Sequence, residues 1–353
     1  MALFGATHAK DALGGQSLAY QRSPTVQLQR EQSESRLNRQ EIAAPERRSV
    51  VIFGSQQITV DAVTDFLRRD LEVSAVFTSR RPHDDAYGYA SIHDVATQHD
   101  IPVFEPPSID RRCIEFVHDL APELIVSTYY RNILPAALLE IPPLGCINVH
   151  PGRLPYYRGP IPTFWALVNG ETSCAVTLHV MDAGVDTGPI IAQEDIPIDD
   201  DDTGFTLSAR AMHAGHALLM RHIDAVLRGE IRPEPQDPTT GSYFGSFSER
   251  LRQIDWRRPS RAIFNQVRAL THPYAGGLTF SGERPLVIWR VQEMERGYAV
   301  SVPPGRIRKV HADGSFVIAT ADGCLTVTEY ESAPEARGDE GQVIVRAGQT
   351  LSC

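Results

Sequence analysis

The stretch INVHPGRLPYYRG, residues 147–159, ends an apolar segment and opens a loop rich in proline and glycine. Asn148 and His150 stand two residues apart at that boundary. Side chains two apart on a β-strand point to the same face, so this amide and this imidazole converge. In an open α/β sheet the ligand crevice lies at the carboxyl ends of the strands. The stretch therefore predicts a parallel sheet with a polar site at the end of one central strand.

The segments before this stretch alternate between apolar runs and amphipathic runs, which predicts strands alternating with helices. Predicted strands cover 49–55, 72–79, 101–106, 123–130 and 145–150, and predicted helices cover 59–70, 90–100, 108–121 and 134–141, the third capped by Ser108. This order predicts a Rossmann-like, doubly wound, mostly parallel sheet. The first strand leads into FGSQQI rather than G-x-G-x-x-G, so a nicotinamide dinucleotide is not the expected ligand.

In the second half of the chain the alternation of strands and helices ends, and after two more predicted helices only short strands follow. Two strands, 173–181 and 188–198, precede a long helix whose acidic start, Asp199–Asp202, is expected to be solvated. After one more helix, short strands separated by Gly-containing turns predict a small antiparallel, OB-like β-barrel. The predicted domains are a mobile extension (1–48), a catalytic domain (49–232), a Pro-rich linker (233–258) and the β-barrel domain (259–353).

Composition and charge narrow the classes of protein to which this chain could belong. The 353 residues are 42% hydrophobic and 22% charged with a net charge of −10, which indicates a globular protein and disfavours general binding of nucleic acid. The sequence contains neither an apolar run long enough to span a membrane nor a secretory signal, so we expect a cytoplasmic protein. The cysteines are scattered and odd in number, which indicates reduced thiols and no zinc site: Cys113, Cys146, Cys174, Cys324 and Cys353.

A histidine in such a site needs a carboxylate to orient it and to set its charge. Asp186, in the glycine-flanked turn MDAGVDTGP, is the best candidate. Convergent Asn148 and His150 donors suit negative charge that develops on a substrate oxygen. Pro151, Gly152 and Pro155 would keep these donors in place.

With these motifs the sequence resembles the folate-dependent formyltransferases, which share N-x-H, a loop ending in L-P-x-[YW]-x-G, and a later D-x-G. The resemblance spans about residues 50–330 and extends to STYYRNILP, VTLHVMDAG and RALTHPYAGGLTF. It implies the formyltransferase fold, 10-formyltetrahydrofolate as donor, and no metal. It also implies that Asn148, His150 and Asp186 are catalytic, and that the donor is held by Asn132, Ile133, Leu134, Tyr130 and Asp182.

The resemblance is strongest to the branch that formylates a UDP-4-amino-4-deoxy-arabinose-like amino sugar, so the expected acceptor is the primary amine of a nucleotide-linked sugar. Arg153, Tyr157 and Arg158 are candidate residues for binding it. The stretch after the second strand carries Arg80 and Arg81 but then Asp84 and Asp85, with no long basic loop for tRNA. Where some family members have Ser and Leu, this chain has Gly152 and Arg153.

Other acceptors stay open. The main alternative is a methionyl-tRNA formyltransferase. Formylation of an amino acid or natural-product amine, hydrolysis of the folate donor, and a catalytically silent folate-binding subunit are further alternatives. A homodimer is compatible with any of them.

Overall fold

A computed structural model describes residues 48–79, 87–293, 302–333 and 344–353. Residues 1–47 of the predicted mobile extension lie outside the described residues, and so does the charged stretch 80–86. Within the described residues, no helix has the length and apolar character needed to cross a membrane.

The first sheet confirms the predicted mostly parallel architecture. Its strands are arranged in the order β3-β2-β1-β4-β5-β6-β7. The first five are parallel to one another, β6 is antiparallel to β5, and β7 is antiparallel to β6. The strands are β1 (Ser49–Gly54), β2 (Glu72–Phe77), β3 (Val103–Phe104), β4 (Leu124–Thr128), β5 (Cys146–His150), β6 (Ser173–Val180) and β7 (Ile190–Pro197). The strand order reverses between β1 and β4, and β5, which carries the N-x-H motif, lies one strand further on.

Helices cover both faces of this sheet, because its strands are apolar on both sides. Val50 and Ile52 of β1 belong to one buried cluster, and Val51 and Phe53 belong to the cluster on the opposite face. The helices are α1 (Gln56–Arg68), α2 (Ile92–Gln98), α3 (Arg111–Leu120), α4 (Ala136–Leu139), α5 (Pro162–Asn169) and α6 (Gly204–Leu227). Helix α5 was not predicted from the sequence.

Two local expectations were wrong. Helix α3 is capped by Asp110 instead of Ser108, and its carboxylate accepts the Cys113 N–H at 3.0 Å. The acidic run before α6 is not uniformly solvated. Asp202 is 6% exposed and forms an ion pair with Arg210, while Thr203 caps the helix. A buried carboxylate needs such a partner, because desolvation without one is costly.

The C-terminal part forms its own core around an antiparallel sheet with strand order β10-β11-β12-β9-β8. It consists of α7 (Ser260–Leu270), β8 (Gly277–Ser281), β9 (Arg284–Glu293), β10 (Ile307–Val310), β11 (Phe316–Ala319) and β12 (Cys324–Ser332). Residues 348–352 lie between the two edge strands. Ser352 exchanges backbone hydrogen bonds with Phe280 of β8, while Gly348 and Gln349 bond to Ile307 of β10. This segment joins the sheet edges into the small barrel expected from the sequence.

Candidate active site

The loop after β5 is anchored to the two antiparallel strands beside it. The Thr177 hydroxyl of β6 donates to the Gly152 carbonyl at 2.6 Å and accepts the Leu154 N–H at 3.3 Å. From β7, Gln193 Nε2 donates to the Leu154 carbonyl at 2.7 Å and to Thr177 Oγ1 at 2.9 Å. The loop backbone is therefore held by the buried Thr177 and by Gln193 as well as by its own proline residues.

His150 is buried at the end of β5, with 4% of its side chain exposed. Its Nε2–H donates to the Tyr157 carbonyl at 2.8 Å, and its Nδ1 lies 3.6 Å from Asp186 Oδ2. Glycine is required between them, because a Cβ on Gly152 would lie 2.6 Å from His150 Nε2 and 2.7 Å from the Tyr157 oxygen. Gly152, which stands where some family members have Ser, is thus what allows the imidazole to reach this carbonyl.

Asp186 faces His150 from the turn between β6 and β7. Its Oδ2 accepts the Gly159 N–H at 2.9 Å, and its backbone φ is +54°, in the left-handed region. Non-glycine residues in that region are uncommon and are often found at functional sites. Asp182 supports the turn, accepting the Gly184 N–H at 3.0 Å and the Thr187 hydroxyl at 2.6 Å.

His179 is the part of this cluster that sequence reasoning missed. It lies on β6 directly opposite Asn148 and is 2% exposed. Its Nδ1–H donates to the Val180 carbonyl at 2.9 Å, so its Nε2 accepts from Asn148 Nδ2 at 3.1 Å. Burial, reinforced by the charge of His150, lowers the pKa of His179 to about 4. A neutral His179 therefore fixes the Asn148 amide and leaves its second N–H for a substrate.

The residues expected to hold the donor are distributed over two loops. Tyr130 packs edge-on against Phe53, and the Asn132 amide donates to its hydroxyl at 3.5 Å. Leu134 is buried in the core, whereas Ile133 is 73% exposed. The loop that carries them follows β4, whose Ser127 and Thr128 pair with Asn148 and Val149 of β5. This loop therefore lies at the same end of the strands as Asn148 and His150.

The candidate acceptor residues have partners of their own. Arg153 is paired with Asp195 of β7 at 2.7 Å, and the Arg158 guanidinium donates to Gln236 at 2.7 Å. The Tyr157 hydroxyl donates to Glu171 at 2.6 Å, and burial raises its pKa to about 12. Arg153 and Tyr157 both line a cavity of about 330 Å³ beside the loop, together with Tyr156, Glu171, Ser173, Ser242 and Phe244. Arg158 is not among its lining residues.

These features define a protein with a doubly wound sheet, a polar Asn-His-Asp site at one strand end, and a C-terminal barrel. The family described as "Formyl transferase" matches residues 47–223, and "Formyl transferase, C-terminal domain" matches residues 248–337. The chain belongs to the formyltransferase family, and it is an enzyme of that family, as the sequence resemblance predicted.

Individual relatives differ in their acceptors. A methionyl-tRNA formyltransferase from Pelobacter propionicus is 34% identical over 84% of this chain and 92% of its own length. Among solved structures, an N-formyltransferase from Helicobacter canadensis in complex with folinic acid and dTDP-3-aminofucose is similar with a TM-score of 0.62, 21% identity, and coverage of 80% of this chain and 98% of its own. A 4-N formyltransferase from Francisella tularensis gives a TM-score of 0.55 at 23% identity, covering 67% and 93%.

The cluster is equipped for polar chemistry between bound groups. It combines the His150 imidazole, 3.6 Å from the Asp186 carboxylate, with the Asn148 amide, which is held by His179 at 3.1 Å. In the part of the chain that the structure describes, no group of three or more His, Cys, Asp or Glu side chains is placed to hold a metal ion.

Proposed function

We propose that this protein transfers a formyl group from 10-formyltetrahydrofolate to the primary amine of a small acceptor, a nucleotide-linked amino sugar. The observation that carries the proposal is that Asp186 faces His150 at the end of β5, the strand that also carries Asn148, in a chain of the formyltransferase family. The resemblance of this sequence to the amino-sugar branch supports the acceptor class.

The two loops flanking the cluster fit a flat, partly apolar donor. Ile133 follows β4 and is 73% exposed, and Val185 precedes Asp186 and is 39% exposed. Apolar side chains exposed beside convergent polar groups are typical of small-molecule sites. Asn132, Ile133, Leu134, Tyr130 and Asp182 would hold 10-formyltetrahydrofolate, which would supply the activated formyl carbon.

Moving a formyl group between two nitrogens requires one proton to leave the acceptor amine and one to reach the donor nitrogen. Asp186 would accept the first proton, because its carboxylate is the anionic group nearest His150, and would return it to the donor nitrogen as the bond between that nitrogen and the formyl carbon breaks. Asn148 donates its second N–H to the formyl oxygen, where negative charge develops. His150 faces an acceptor at each ring nitrogen, which suits the imidazolium, and its charge adds to that stabilisation.

The cavity lined by Arg153 and Tyr157 supports a small acceptor. Its volume of about 330 Å³ lies at the lower end of the usual ligand range. Its walls combine aromatic rings with hydroxyl, carboxylate and guanidinium groups, a mixture that suits a hydroxyl-rich ligand.

A methionyl-tRNA formyltransferase is the second candidate, favoured by 34% identity to relatives of that name over 84% of this chain. Against it stands the net charge of −10, because a protein that binds tRNA must neutralise phosphates.

A panel of amines assayed with 10-formyltetrahydrofolate separates the two candidates. We expect tetrahydrofolate release with at least one UDP- or dTDP-linked amino sugar and none with methionyl-tRNA. Efficient formylation of methionyl-tRNA that weakens steeply with added salt would replace the sugar proposal by the second candidate.

The catalytic assignment has its own test. His150→Ala and Asp186→Asn should each lower turnover by about 10²–10⁴-fold, the usual contribution of a positioned acid–base group, while the melting temperature changes little. His93 and Glu105 form a matched histidine–carboxylate pair at 2.7 Å on the surface, so His93→Ala and Glu105→Gln are the controls. Activity of either site variant within tenfold of the parent would contradict the assignment.

A further inference from the structure

The linker between the two domains supplies a side chain to the catalytic cluster. Gln236 lies in the segment 233–258, which the sequence suggested was only a spacer. Its Nε2 donates to the carbonyl of Asp186 at 2.9 Å and to the carbonyl of Gly188 at 2.7 Å. Its Oε1 accepts from the guanidinium of Arg158 at 2.7 Å.

The orientation of this amide is unambiguous. Two of its partners are carbonyls, which only accept, and the third is a guanidinium, which only donates. Reversing the amide would place its oxygen against two carbonyl oxygens and its NH₂ against the guanidinium. Gln236 therefore uses both N–H groups and its oxygen at once, and it joins the turn that carries Asp186 to the loop that follows His150.

Asp186 needs such support because of its backbone. At φ +54° a non-glycine residue is held in a sparsely populated conformation, which persists only where neighbouring contacts enforce it. Gln236 holds the carbonyl of Asp186, and the Gly159 N–H holds its carboxylate. The two contacts are linked to each other, because Arg158, the residue before Gly159, donates a hydrogen bond to Gln236.

The backbone of the linker keeps Gln236 in place. Glu234 and Ile190 exchange hydrogen bonds at 2.8 Å in both directions, which fixes the chain two residues before Gln236. Further along, the Arg158 N–H donates to Ser242, and the Phe244 N–H donates to the Arg158 carbonyl. The segment is thus tied to β7 on one side and to the catalytic loop on the other.

We propose that Gln236 is a positioning residue for formyl transfer: it acts through Asp186, keeping that carboxylate against His150. The proposal rests on the function proposed above only for its kinetic test. Gln236 touches neither donor nor acceptor in this proposal, so its loss should impair the chemical step and leave binding largely intact.

The kinetic test compares Gln236→Ala and Gln236→Glu with the parent. Glu keeps the length of the side chain and the acceptor for Arg158 but loses both N–H donors, whereas Ala removes the whole side chain. The two variants therefore separate loss of the N–H donors from loss of the side chain. We expect kcat to fall at least tenfold in both, with KM for donor and amine within threefold. In the Asp186→Asn background the same changes should cost less than threefold, because a residue acting through Asp186 has nothing further to lose.

Gln266 provides the matched control. It is buried in α7, donates to the carbonyls of Leu251 and Gln253 at 2.9 Å, and accepts from Arg258. Gln266→Glu removes the same kind of contact away from the site and should leave kcat within threefold. A Gln236 effect that persists fully in the Asp186→Asn background, or kcat within threefold of the parent, would overturn the proposal.

A second readout needs no substrate. The ¹⁵N signals of the His150 ring, assigned by their absence in His150→Gln, should shift in Gln236→Glu and not in Gln266→Glu. Unchanged signals would overturn the positioning role even if the enzyme were impaired. If no amine in the panel were formylated but the signals shifted, the proposed function would fail while the role of Gln236 stood.

Discussion

At the scale of single residues, the site depends on close approaches between main chain and imidazole. His150 Nε2 and the Tyr157 oxygen meet at 2.8 Å over the Cα of Gly152, which has no room for a side chain. The ring is thereby fixed from one side by a carbonyl and faces Asp186 from the other. Such constraints matter because a displacement of about 1 Å at a reacting group can reduce the rate by about 100-fold.

Gly152→Ala should therefore lower kcat by about 10–100-fold, because its Cβ would push apart His150 and the Tyr157 carbonyl. Gly245→Ala is the matched control, since a Cβ there meets nothing within 4 Å. Turnover and urea denaturation of both variants check this prediction. Equal activities of the two variants would show that the His150–Tyr157 hydrogen bond is dispensable.

His179 predicts a pH dependence of stability. Burial lowers its pKa from 6.5 to about 4, so the unfolded chain takes up this proton at a higher pH than the folded one. The contribution of His179 to stability is present above pH 6.5 and is lost as the pH falls from about 6.5 to about 4. Urea denaturation across this range should show a smaller loss for His179→Gln than for the parent.

The exposed His99 offers the control for this series. His99→Gln should lose stability with falling pH as the parent does. If His179→Gln and His99→Gln gave the same profile, a buried neutral His179 would not be responsible.

At the scale of elements, most strands and helices followed from the sequence, because apolar runs and amphipathic runs alternate clearly up to β5. Helix α5 was missed since its residues, PTFWALVN, are apolar on most sides and begin with proline. The proximity of Asp186 to His150 could be predicted because His150 ends a central strand and Asp186 lies in a glycine-flanked turn, while the catalytic role of Asn148, His150 and Asp186 stays a prediction.

His179 and Gln236 were not predictable, because their roles depend on pairing between distant segments. His179 meets Asn148 through the antiparallel register of β5 and β6, across 31 residues of sequence. Gln236 reaches Asp186 across 50 residues, from a segment whose composition indicates only a linker. The burial of Asp202 likewise depends on Arg210, the seventh residue of the helix that follows.

At the scale of the whole molecule, a buried arginine connects helix α7 of the C-terminal part to the segment that precedes α6. Arg268 of α7 is 8% exposed and donates to the carbonyls of Asp199, Asp200 and Asp202, which precede α6. Its Nε donates to Asn265 at 3.0 Å. One side chain thus satisfies three main-chain acceptors at the start of α6.

Arg268→Leu should lower the free energy of unfolding by about 1–3 kcal/mol, because the carbonyl of the buried Asp202 loses its Arg268 donor. Arg111→Leu is the control: Arg111 is 90% exposed, and its pair with Glu115 should contribute less than about 1 kcal/mol. Urea denaturation of both variants measures the difference. Similar losses in the two would contradict the structural role of Arg268.

The segment 242–244 holds the loop after β5 through main-chain hydrogen bonds and through the Phe244 ring, which stacks on Tyr157 at 4.9 Å, while Tyr243 is 62% exposed and Phe247, just beyond it, is 42% exposed. Substitutions at such exposed positions leave the hydrogen bonds to Arg158 intact. The surface that flanks the site can therefore diverge under selection while the catalytic geometry is inherited unchanged.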